Sequence, residues 1–355
     1  MDLSREHARP PGAGAQLALA PVLVAAFALL LAVVTLAVAL GSVRLAPMEV
    51  WQVVLDHLRG ERQGTVADQI TWGLRLPRVV LAAVVGGALT TSGVVMQVLV
   101  RNPLAEPFLL GVSSGASVGA TAVILFGVFG GLGLWAVSAG SILGSVVAMM
   151  AVFGLARTRG GLGSTQLILC GVVISALFQS MTSFLIFEGD PQATQGVLFW
   201  LLGSFGRANW DQLVVPTCAL VVSVTFLVLQ RRALNALALG DGVAASVGID
   251  VPRFRRSLFA IASLTAGATV AVAGVVGFVG LVVPHIVRLV VGYDHRRVLP
   301  AGVLLGANFM VLADLLARTL VSPQEMPLGV ISAFVGAPIL LILIRRQPYF
   351  YGVSG

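Results

Sequence analysis

Runs of about 20 mostly apolar residues recur along nearly the whole chain, and they limit its fold more than any other feature. A helix of that length spans the hydrocarbon core of a bilayer and satisfies its own backbone hydrogen bonds. Only 10% of the residues are charged, whereas soluble domains contain about 25%. The sequence therefore predicts an all-α polytopic membrane protein with about ten transmembrane helices. The predicted spans are 17–40, 78–99, 108–127, 132–156, 165–187, 211–230, 255–276, 278–292, 298–319 and 327–345.

Composition argues against several kinds of protein. All 22 basic residues are arginine, and a P-loop needs a lysine on the nucleotide phosphates, so the chain is not predicted to hydrolyse ATP by itself. The formal charge of +7 comes from arginines that lie between apolar spans. Because these arginines form no single polar face, no nucleic acid partner is predicted. The sequence shows no cluster of metal ligands and no nucleophile beside a base, so we expect no catalytic residue, metal or cofactor.

Few ionisable residues fall within the predicted spans. Asp314 and Arg318 are four residues apart and are predicted to pair on one helix face. His285 is interpreted as a hydrogen-bonded residue at a helix end, since Pro284 before it predicts a broken or tilted eighth span. A proton-driven carrier needs several buried carboxylates or histidines along its route. Without such a route, the chain either draws energy from elsewhere or acts as a passive channel. A membrane-bound enzyme is a third alternative, but it would need a cluster of polar residues, which the sequence does not show.

The chain is interpreted as one transmembrane domain, residues 17–346, with two short tails. Residues 1–16 are polar and rich in Pro and Gly, which predicts a disordered N-terminus. The apolar run at 17–40 exceeds the roughly 7–15 apolar residues of a signal peptide, so it is interpreted as an uncleaved first span. The C-terminal tail comprises residues 347–355. Placing both tails in the cytoplasm puts most arginines on the inner side, as the positive-inside rule expects.

An internal repeat is indicated by matches at an offset of 181 residues. The matched pairs are Arg75 and Arg256, Gly86 and Gly267, Gly93 and Gly274, Val94 and Val275, Val95 and Val276, Val98 and Val279, and Pro103 and Pro284. Five predicted spans separate the two copies, so they begin on opposite sides of the membrane. This pattern predicts an inverted repeat, a common arrangement in transporters. The alternative is the shared composition of membrane helices.

Gly111, Gly115 and Gly119 occur at four-residue spacing in the stretch GVSSGASVG. On a helix this spacing makes a flat strip that allows another helix to approach closely. A phosphate-binding loop is the alternative, but it lacks the Gly-Lys-Ser/Thr ending and a preceding strand. The strip is therefore predicted to pack helices together.

The segment Leu234–Ile249, LNALALGDGVAASVGI, is too short and too rich in small residues to cross a bilayer. Its apolar spacing predicts a compact pair of helical turns; the alternative is a disordered linker. With both termini in the cytoplasm, the segment lies under the membrane. The arginines that flank it suit the anionic inner leaflet. They are Arg231, Arg232, Arg253, Arg255 and Arg256.

Several separate motifs, in matching order between about Leu74 and Arg346, resemble one family. They are LRLPRVV at Leu74–Val80, SGVVMQVLVRNPLAEPFLLGVSSGASVG at Ser92–Gly119, GFVGLVVPHIVRLVVGYDHRRVLP at Gly277–Pro300, ADLLAR at Ala313–Arg318 and EMPLGVISAFVGAPI at Glu325–Ile339. They resemble the FecCD-type permease subunits of binding-protein-dependent ABC importers for iron chelates, haem and cobalamin. The motifs are specific for the family but not for the cargo.

The resemblance implies a membrane-spanning permease of an ATP-driven importer, located in a bacterial cytoplasmic (inner) membrane. The implied cargo is a metal chelate, either a ferric siderophore or haem, with cobalamin as the alternative. Members of the family have ten spans and pair as homodimers, or with a similar permease, on two ATP-binding cassette subunits. A soluble extracytoplasmic binding protein delivers the cargo. The implied mechanism is alternating access, driven by the partner ATPases.

The resemblance also assigns roles to residues. Leu234–Ile249 resembles the coupling helices that dock on the ATPase, and the residues assigned to this role are Leu239, Gly240, Asp241, Ala245 and Gly248. The residues that match the cytoplasmic gate are Gly163, Ser164 and Thr165. The family often has a basic residue next, where this chain has Gln166, so the local contacts of the gate stay open.

Three arginines on the predicted outer side match family positions that face acidic residues of the binding protein. These docking candidates are Arg75, Arg78 and Arg318. Exposed ion pairs of this kind would mainly orient the partner and speed its encounter. In the alternative interpretation Arg318 neutralises Asp314, while Arg75 and Arg78 anchor the chain at the membrane interface. Both roles are compatible.

Overall fold

The computed structural model describes residues 17–41, 43–61, 64–158 and 161–346. The two predicted tails, 1–16 and 347–355, lie outside the described residues. The first seven helices are α1 (Leu19–Ala39), α2 (Pro47–Arg59), α3 (Val66–Asp68), α4 (Leu76–Val100), α5 (Val112–Phe126), α6 (Ala136–Ala156) and α7 (Ser164–Glu188). The remaining helices are α8 (Pro191–Leu202), α9 (Val214–Leu229), α10 (Arg231–Leu239), α11 (Asp241–Ser246), α12 (Val251–Ala273), α13 (Val279–Val291), α14 (His295–Thr319) and α15 (Leu328–Arg346).

The predicted all-α membrane architecture is confirmed. Within the described residues, seven helices are long and apolar enough to cross a membrane, and three shorter apolar helices occupy the other three predicted spans. The shorter ones are α5, α13 and α15. The strands of the described part are two-residue pieces, β1 (Arg157–Thr158) and β2 (Gly161–Leu162), which pair antiparallel.

The centre of the bundle is α4, in which every residue from Val85 to Val100 is buried. It packs against α9, α12, α13 and α14. Glycines allow the closest of these contacts. A Cβ on Gly86 would overlap the carbonyl of Gly306 in α14, and a Cβ on Gly93 would overlap the carbonyl of Gly280 in α13. Small residues therefore bring the helix backbones together here, since lipid supplies no hydrophobic drive for helix association.

The predicted glycine strip packs α5 against α6, as expected. Cβ atoms on Gly115 and Gly119 would overlap the carbonyls of Gly144 and Gly140 in α6. Gly111 does not belong to this contact. It precedes α5 with a φ of +76°, a conformation that favours glycine, and lies near Ile174 of α7.

Of the two alternatives for the eighth span, the break at Pro284 is wrong, because α13 continues through this proline from Val279 to Val291. A tilted span stays a prediction. A proline within a helix leaves the carbonyl four residues earlier without its usual donor, and here the Gln97 amide approaches that carbonyl, on Gly280, at 3.5 Å. The chain instead departs from helix just before α13. Gly274 (φ +70°) ends α12, and Phe278 (φ +68°) precedes α13.

Helices α2, α3 and α8 were not predicted. Helix α2 is amphipathic, with Val50 and Val53 buried and Met48 and Leu58 exposed. After α3 the chain forms a π-helical turn, Gln69–Arg75, which runs directly into α4. These elements are short or have mixed polarity, so they escape a search for long apolar runs.

The two copies of the sequence repeat contact each other, and they run antiparallel because the end of α4 and the start of α12 meet at Asp241 through Arg101 and Arg255. The Ser92 hydroxyl of α4 donates to the Ala262 carbonyl of α12 at 2.9 Å. However, the two copies differ in secondary structure. Residues 94–98 of the first copy lie within α4, whereas α12 ends at Ala273, before the corresponding residues 275–279 of the second copy. The inverted repeat stays a prediction from the sequence.

Candidate functional site

A pair of short helices, α10 and α11, forms the segment that the sequence singled out. The predicted pair of helical turns is confirmed. Gly240 joins the two helices with a φ of +126°, which strains any residue except glycine. Leu234 and Leu237 are fully buried and anchor α10, whereas the side chain of Leu239 is 75% exposed at its end. The pair is thus fixed on one side and open on the other.

The open side of the pair combines small residues with the exposed apolar side chains of Leu239, Val243 and Val247. Ala245 and Gly248 are exposed, and Gly248 has a φ of +85° just beyond α11. A Cβ added at Gly242 or Gly248 would meet no atom within 4 Å. Small exposed side chains allow a partner surface to approach the backbone of α11 closely.

Asp241 connects this pair to the transmembrane core. It is the first residue of α11 and accepts a hydrogen bond from the Arg255 guanidinium of α12 at 2.9 Å. The Arg101 guanidinium, just after α4, lies 3.8 Å from the same carboxylate. The side chain of Arg255 is only 3% exposed, so this ion pair is partly withdrawn from water. Through Asp241, α11 therefore contacts both α12 and the end of α4, so a displacement of α11 would act directly on both helices.

A second connection ties α10 to α14. The Asn235 amide donates to the Asp294 carboxylate at 2.8 Å, and the same carboxylate caps α14 by accepting from the Arg296 backbone N–H at 2.9 Å. These hydrogen bonds, first that from Asn235, lower the pKa of Asp294. A lowered carboxyl pKa contributes stability that is present above the unfolded-state pKa and is lost as pH falls through the folded-state value. The link is therefore intact at neutral pH.

The three predicted docking arginines lie near the start of α4 and the end of α14, and they differ in their contacts. Arg75 is buried and donates to the carbonyls of Val38 at 2.7 Å, Ala39 at 3.3 Å and Val43 at 2.6 Å. These contacts satisfy carbonyls at the end of α1, which otherwise have no partner within the helix. Arg75 therefore fastens α1 to α4.

Arg78 and Arg318 share the fully buried carboxylate of Asp314. Arg78 donates through Nε to one oxygen at 2.9 Å, and Arg318 donates to the other at 3.0 Å. The predicted pairing of Asp314 with Arg318 is thus confirmed. Arg318 also donates to the Ala37 carbonyl at 2.9 Å. The remaining edge of the Arg78 guanidinium binds both oxygens of Glu325, at 2.8 and 2.9 Å.

The predicted gate residues lie between β2 and α7. Gly163 precedes α7, Ser164 begins it, and Thr165 is exposed; the side chain of Ser164 lies outside the described residues. A Cβ on Gly163 would overlap Gln166 Oε1. The Gln166 side chain thus folds back over Gly163. The sequence alone did not predict this local contact of the gate segment.

The exposed face of α7 carries polar side chains in the middle of its apolar length. Gln179, Ser180 and Ser183 are exposed there, although polar side chains are costly against lipid. Beside them lies a cavity of about 460 Å³ between α5 and α7, lined by Ser113, Ser175 and Gln179 among others. The polar positions are therefore better suited to water or protein than to lipid, although they alternate with the exposed apolar side chains of Leu177, Met181 and Phe184.

Sequence reasoning missed several polar residues that hold these parts together. Glu325 begins the motif EMPLGVISAFVGAPI, but the sequence alone predicted no role for its carboxylate. Glu106, within another motif, accepts from the Phe278 backbone N–H at 2.7 Å and so ties the loop after α4 to the start of α13. Asn235 lies in the coupling segment itself. Their positions within the motifs and the coupling segment were the signal that the sequence offered. Their hydrogen-bond partners could not be predicted, because these lie far away in the chain.

Comparison with known proteins identifies the class. Residues 29–346 match the FecCD transport family. The hemin transport system permease protein HmuU of Yersinia pestis is 43% identical over 276 residues, covering 77% of this chain and 82% of that protein. The cobalamin import system permease protein BtuC of Halobacterium salinarum is 40% identical over 281 residues, covering 79% and 74%.

A solved structure is also similar. An inward-facing conformation of a metal-chelate type ABC transporter aligns with a TM-score of 0.80 and 30% identity, covering 92% of this chain and 99% of that one. The chain belongs to the FecCD transport family. It is a multi-pass membrane permease of the kind that serves ABC importers.

Proposed function

We propose that this chain is the permease subunit of an ATP-driven, binding-protein-dependent importer of a metal chelate, either haem or a ferric siderophore. The observation that carries the proposal is the 43% identity to a hemin permease over 77% of the chain. The similarity to a metal-chelate type transporter supports the same cargo class. Cobalamin is the second candidate, favoured by the 40% identity to a cobalamin permease.

ATP hydrolysis would take place in two partner ATPase subunits docked on α10 and α11. In this proposal both termini and the helix pair lie in the cytoplasm, and the membrane is the cytoplasmic membrane of a bacterium. Movement of the ATPases would displace α11, and Asp241 would pass the displacement to α12 through Arg255 and to α4 through Arg101. Tilting of these central helices would switch the path between outward and inward access.

A second copy of the permease would complete the path. The polar face of α7 supports a position next to this second copy, because Gln179, Ser180 and Ser183 are poor neighbours for lipid. Gly163, Ser164 and Thr165 at the start of α7 would then meet their counterparts and close the inner end of the path. Pairing with an identical copy is the simplest arrangement for a two-fold assembly.

The binding protein would dock at the end of the molecule that carries the arginine cluster. Arg78 is the best placed of the three candidates, because its outer edge binds Glu325, whose side chain is 45% exposed. Arg318 would support Arg78 through their shared partner, Asp314. Arg75 is occupied by three backbone carbonyls, so its contribution would be to hold the docking surface in shape.

Reconstitution tests the proposal. The permease is placed in lipid vesicles with its partner ATPase and binding protein, and uptake of haem, a ferric siderophore and cobalamin is measured with ATP or a non-hydrolysable analogue. We expect uptake of one iron chelate that requires hydrolysis. Uptake of cobalamin alone would favour the second candidate. Uptake that is the same with the analogue would identify a passive channel or an ion-driven carrier and contradict the proposal.

A further inference from the structure

A pocket of about 200 Å³ lies where the end of α4, α10, α13 and the start of α14 meet. Its lining includes the side chains of Gln97, Arg101, His285, Arg288 and His295. No aspartate or glutamate is among its lining residues in the described part of the chain. The pocket therefore contains two guanidinium groups at the end of the molecule that carries α10 and α11, and that of Arg101 also lies 3.8 Å from the Asp241 carboxylate outside the pocket lining.

Arg288 has no acidic counterpart among the residues that the structure describes. It is only partly exposed, and its guanidinium donates to the neutral side-chain oxygen of Gln97. Among the described residues it forms no ion pair with a carboxylate. Withdrawing a cation from water without a nearby anion is costly, so Arg288 favours an anionic ligand in the pocket.

His295 supplies an acceptor to the same pocket. Its Nδ1 lies 2.5 Å from the Asn235 side-chain oxygen, which also accepts from the His295 backbone N–H at 3.0 Å. Because that oxygen can only accept, Nδ1 carries the proton and Nε2 of the neutral ring is an acceptor. The residue is 3% exposed, and its Nε2 is buried without a hydrogen-bond partner in the described part of the chain. His285, interpreted from the sequence as a hydrogen-bonded residue at a helix end, lies instead within α13, and its buried Nε2 has no partner among the described residues.

We propose that this pocket binds a phosphate group that carries both anionic oxygens and a P–OH. The oxygens would accept from Arg288 and Arg101, and the P–OH would donate to Nε2 of His295. Sulfate at neutral pH offers the oxygens but no proton, and a phosphodiester has the same deficiency. A site built to accept a hydrogen bond discriminates strongly against a ligand that cannot donate it.

Two sources share this chemistry. Free inorganic phosphate retains a P–OH at neutral pH, and the monoester headgroup of phosphatidic acid retains one when singly protonated. Basic pockets between transmembrane helices on the cytoplasmic side commonly bind anionic lipid headgroups. Ala238 of α10 also lines the pocket, so either ligand would lie against the helix pair that contacts the ATPase in the proposed importer. The proposed phosphate site does not depend on which cargo the importer carries.

The test uses the purified full-length permease in detergent, without ATPase or cargo. Binding of inorganic phosphate and of sulfate is measured by calorimetry at neutral pH. In parallel, short-chain phosphatidic acid is compared with phosphatidylglycerol, a phosphodiester. We expect sulfate and phosphatidylglycerol to bind at least about tenfold more weakly than phosphate and phosphatidic acid.

Variants show whether the pocket is responsible. Arg288→Gln is expected to weaken phosphate binding by about tenfold or more, because charge-assisted hydrogen bonds are the strong ones, while Arg288→Lys retains part of the affinity. Arg101→Gln, at a half-exposed position, gives a smaller loss and serves if Arg288 variants do not fold. Arg296→Gln is the matched control, since Arg296 is exposed and outside the pocket.

Each outcome bears on the proposal. Binding of phosphate and phosphatidic acid, lost in the pocket variants, supports it. Binding of phosphatidic acid alone, with the same losses, assigns the site to a lipid headgroup. Equal affinity for sulfate and phosphate would overturn recognition of the P–OH. Absence of binding, or binding that the control variant weakens equally, would overturn the site.

Discussion

Arg75 and Arg78 are three residues apart, have the same side chain, and matched the same role in the sequence, yet the structure separates them. Arg75 donates to three backbone carbonyls near the end of α1. Arg78 binds two carboxylates, of which Asp314 is fully buried and Glu325 is half-exposed. One arginine thus holds two segments together, while the other presents an edge that a different carboxylate could occupy.

The exposed partner of Arg78 leads to a prediction at the residue scale. If a carboxylate of the binding protein docks on Arg78, it must displace Glu325, and Asp314 would keep the guanidinium in place during the exchange. Glu325→Gln is therefore expected to tighten binding-protein docking by about 0.2–1 kcal/mol, the usual range for an exposed ion pair. Surface plasmon resonance on the purified permease measures this change.

Glu188→Gln is the control for the Glu325 variant, because it removes an exposed carboxylate that forms no ion pair with the arginine cluster. Weaker or unchanged docking of Glu325→Gln would refute the exchange. If Arg78→Gln also leaves the affinity of the binding protein unchanged, the prediction that Arg78 contacts the binding protein is wrong.

At the scale of elements, α10 and α11 show how backbone conformation limits the choice of experiment. Gly240 and Gly248 have φ values of +126° and +85°, so a larger residue at either position would strain the backbone as well as obstruct a partner. Gly242 lies within α11 with open space around it and no such φ value. It is the position at which docking can be tested separately.

Gly242→Leu is expected to leave the permease folded, since leucine favours helix over glycine, and to weaken ATPase association by at least about tenfold through overlap with the docked partner. Co-purification and quantitative binding of the ATPase measure this. Gly154→Leu is the matched control, because Gly154 also lies in a helix, α6, with no atom within 4 Å of an added Cβ. Normal ATPase binding by Gly242→Leu would remove α11 from the interface.

At the scale of the whole molecule, the exposed surfaces of the long helices differ in polarity. Helix α1 exposes apolar side chains such as Val24, Phe27 and Leu29, which suit lipid. Helix α7 exposes Gln179, Ser180 and Ser183 among its apolar residues. This difference supports α7 as the side on which a second permease copy packs.

Cysteine cross-linking tests this assembly. The native Cys170 and Cys218, both free, are first replaced by alanine, and a single cysteine is introduced at Ser180. We expect a bifunctional thiol reagent to give a covalent dimer in vesicles. A cysteine at Leu29 of α1 is the lipid-facing control and should give little dimer. Equal cross-linking at both positions, or cross-linking at Leu29 alone, would contradict pairing along α7.

The sequence by itself determined the class of fold, the ten apolar spans and the helical character of Leu234–Ile249. These features follow from local hydropathy and spacing, because bilayer thickness sets the length of a span. The pairing of Asp314 with Arg318 was also predictable, since residues four apart on a helix are neighbours.

The tertiary structure alone decided which distant residues meet. Arg78 pairs with Asp314 and Glu325, 236 and 247 residues away, and the phosphate pocket combines residues from four helices. It also showed that α13 passes through Pro284, where a side chain from α4 approaches the freed carbonyl. Such contacts depend on how helices pack, and helix packing brings together residues that no local pattern relates.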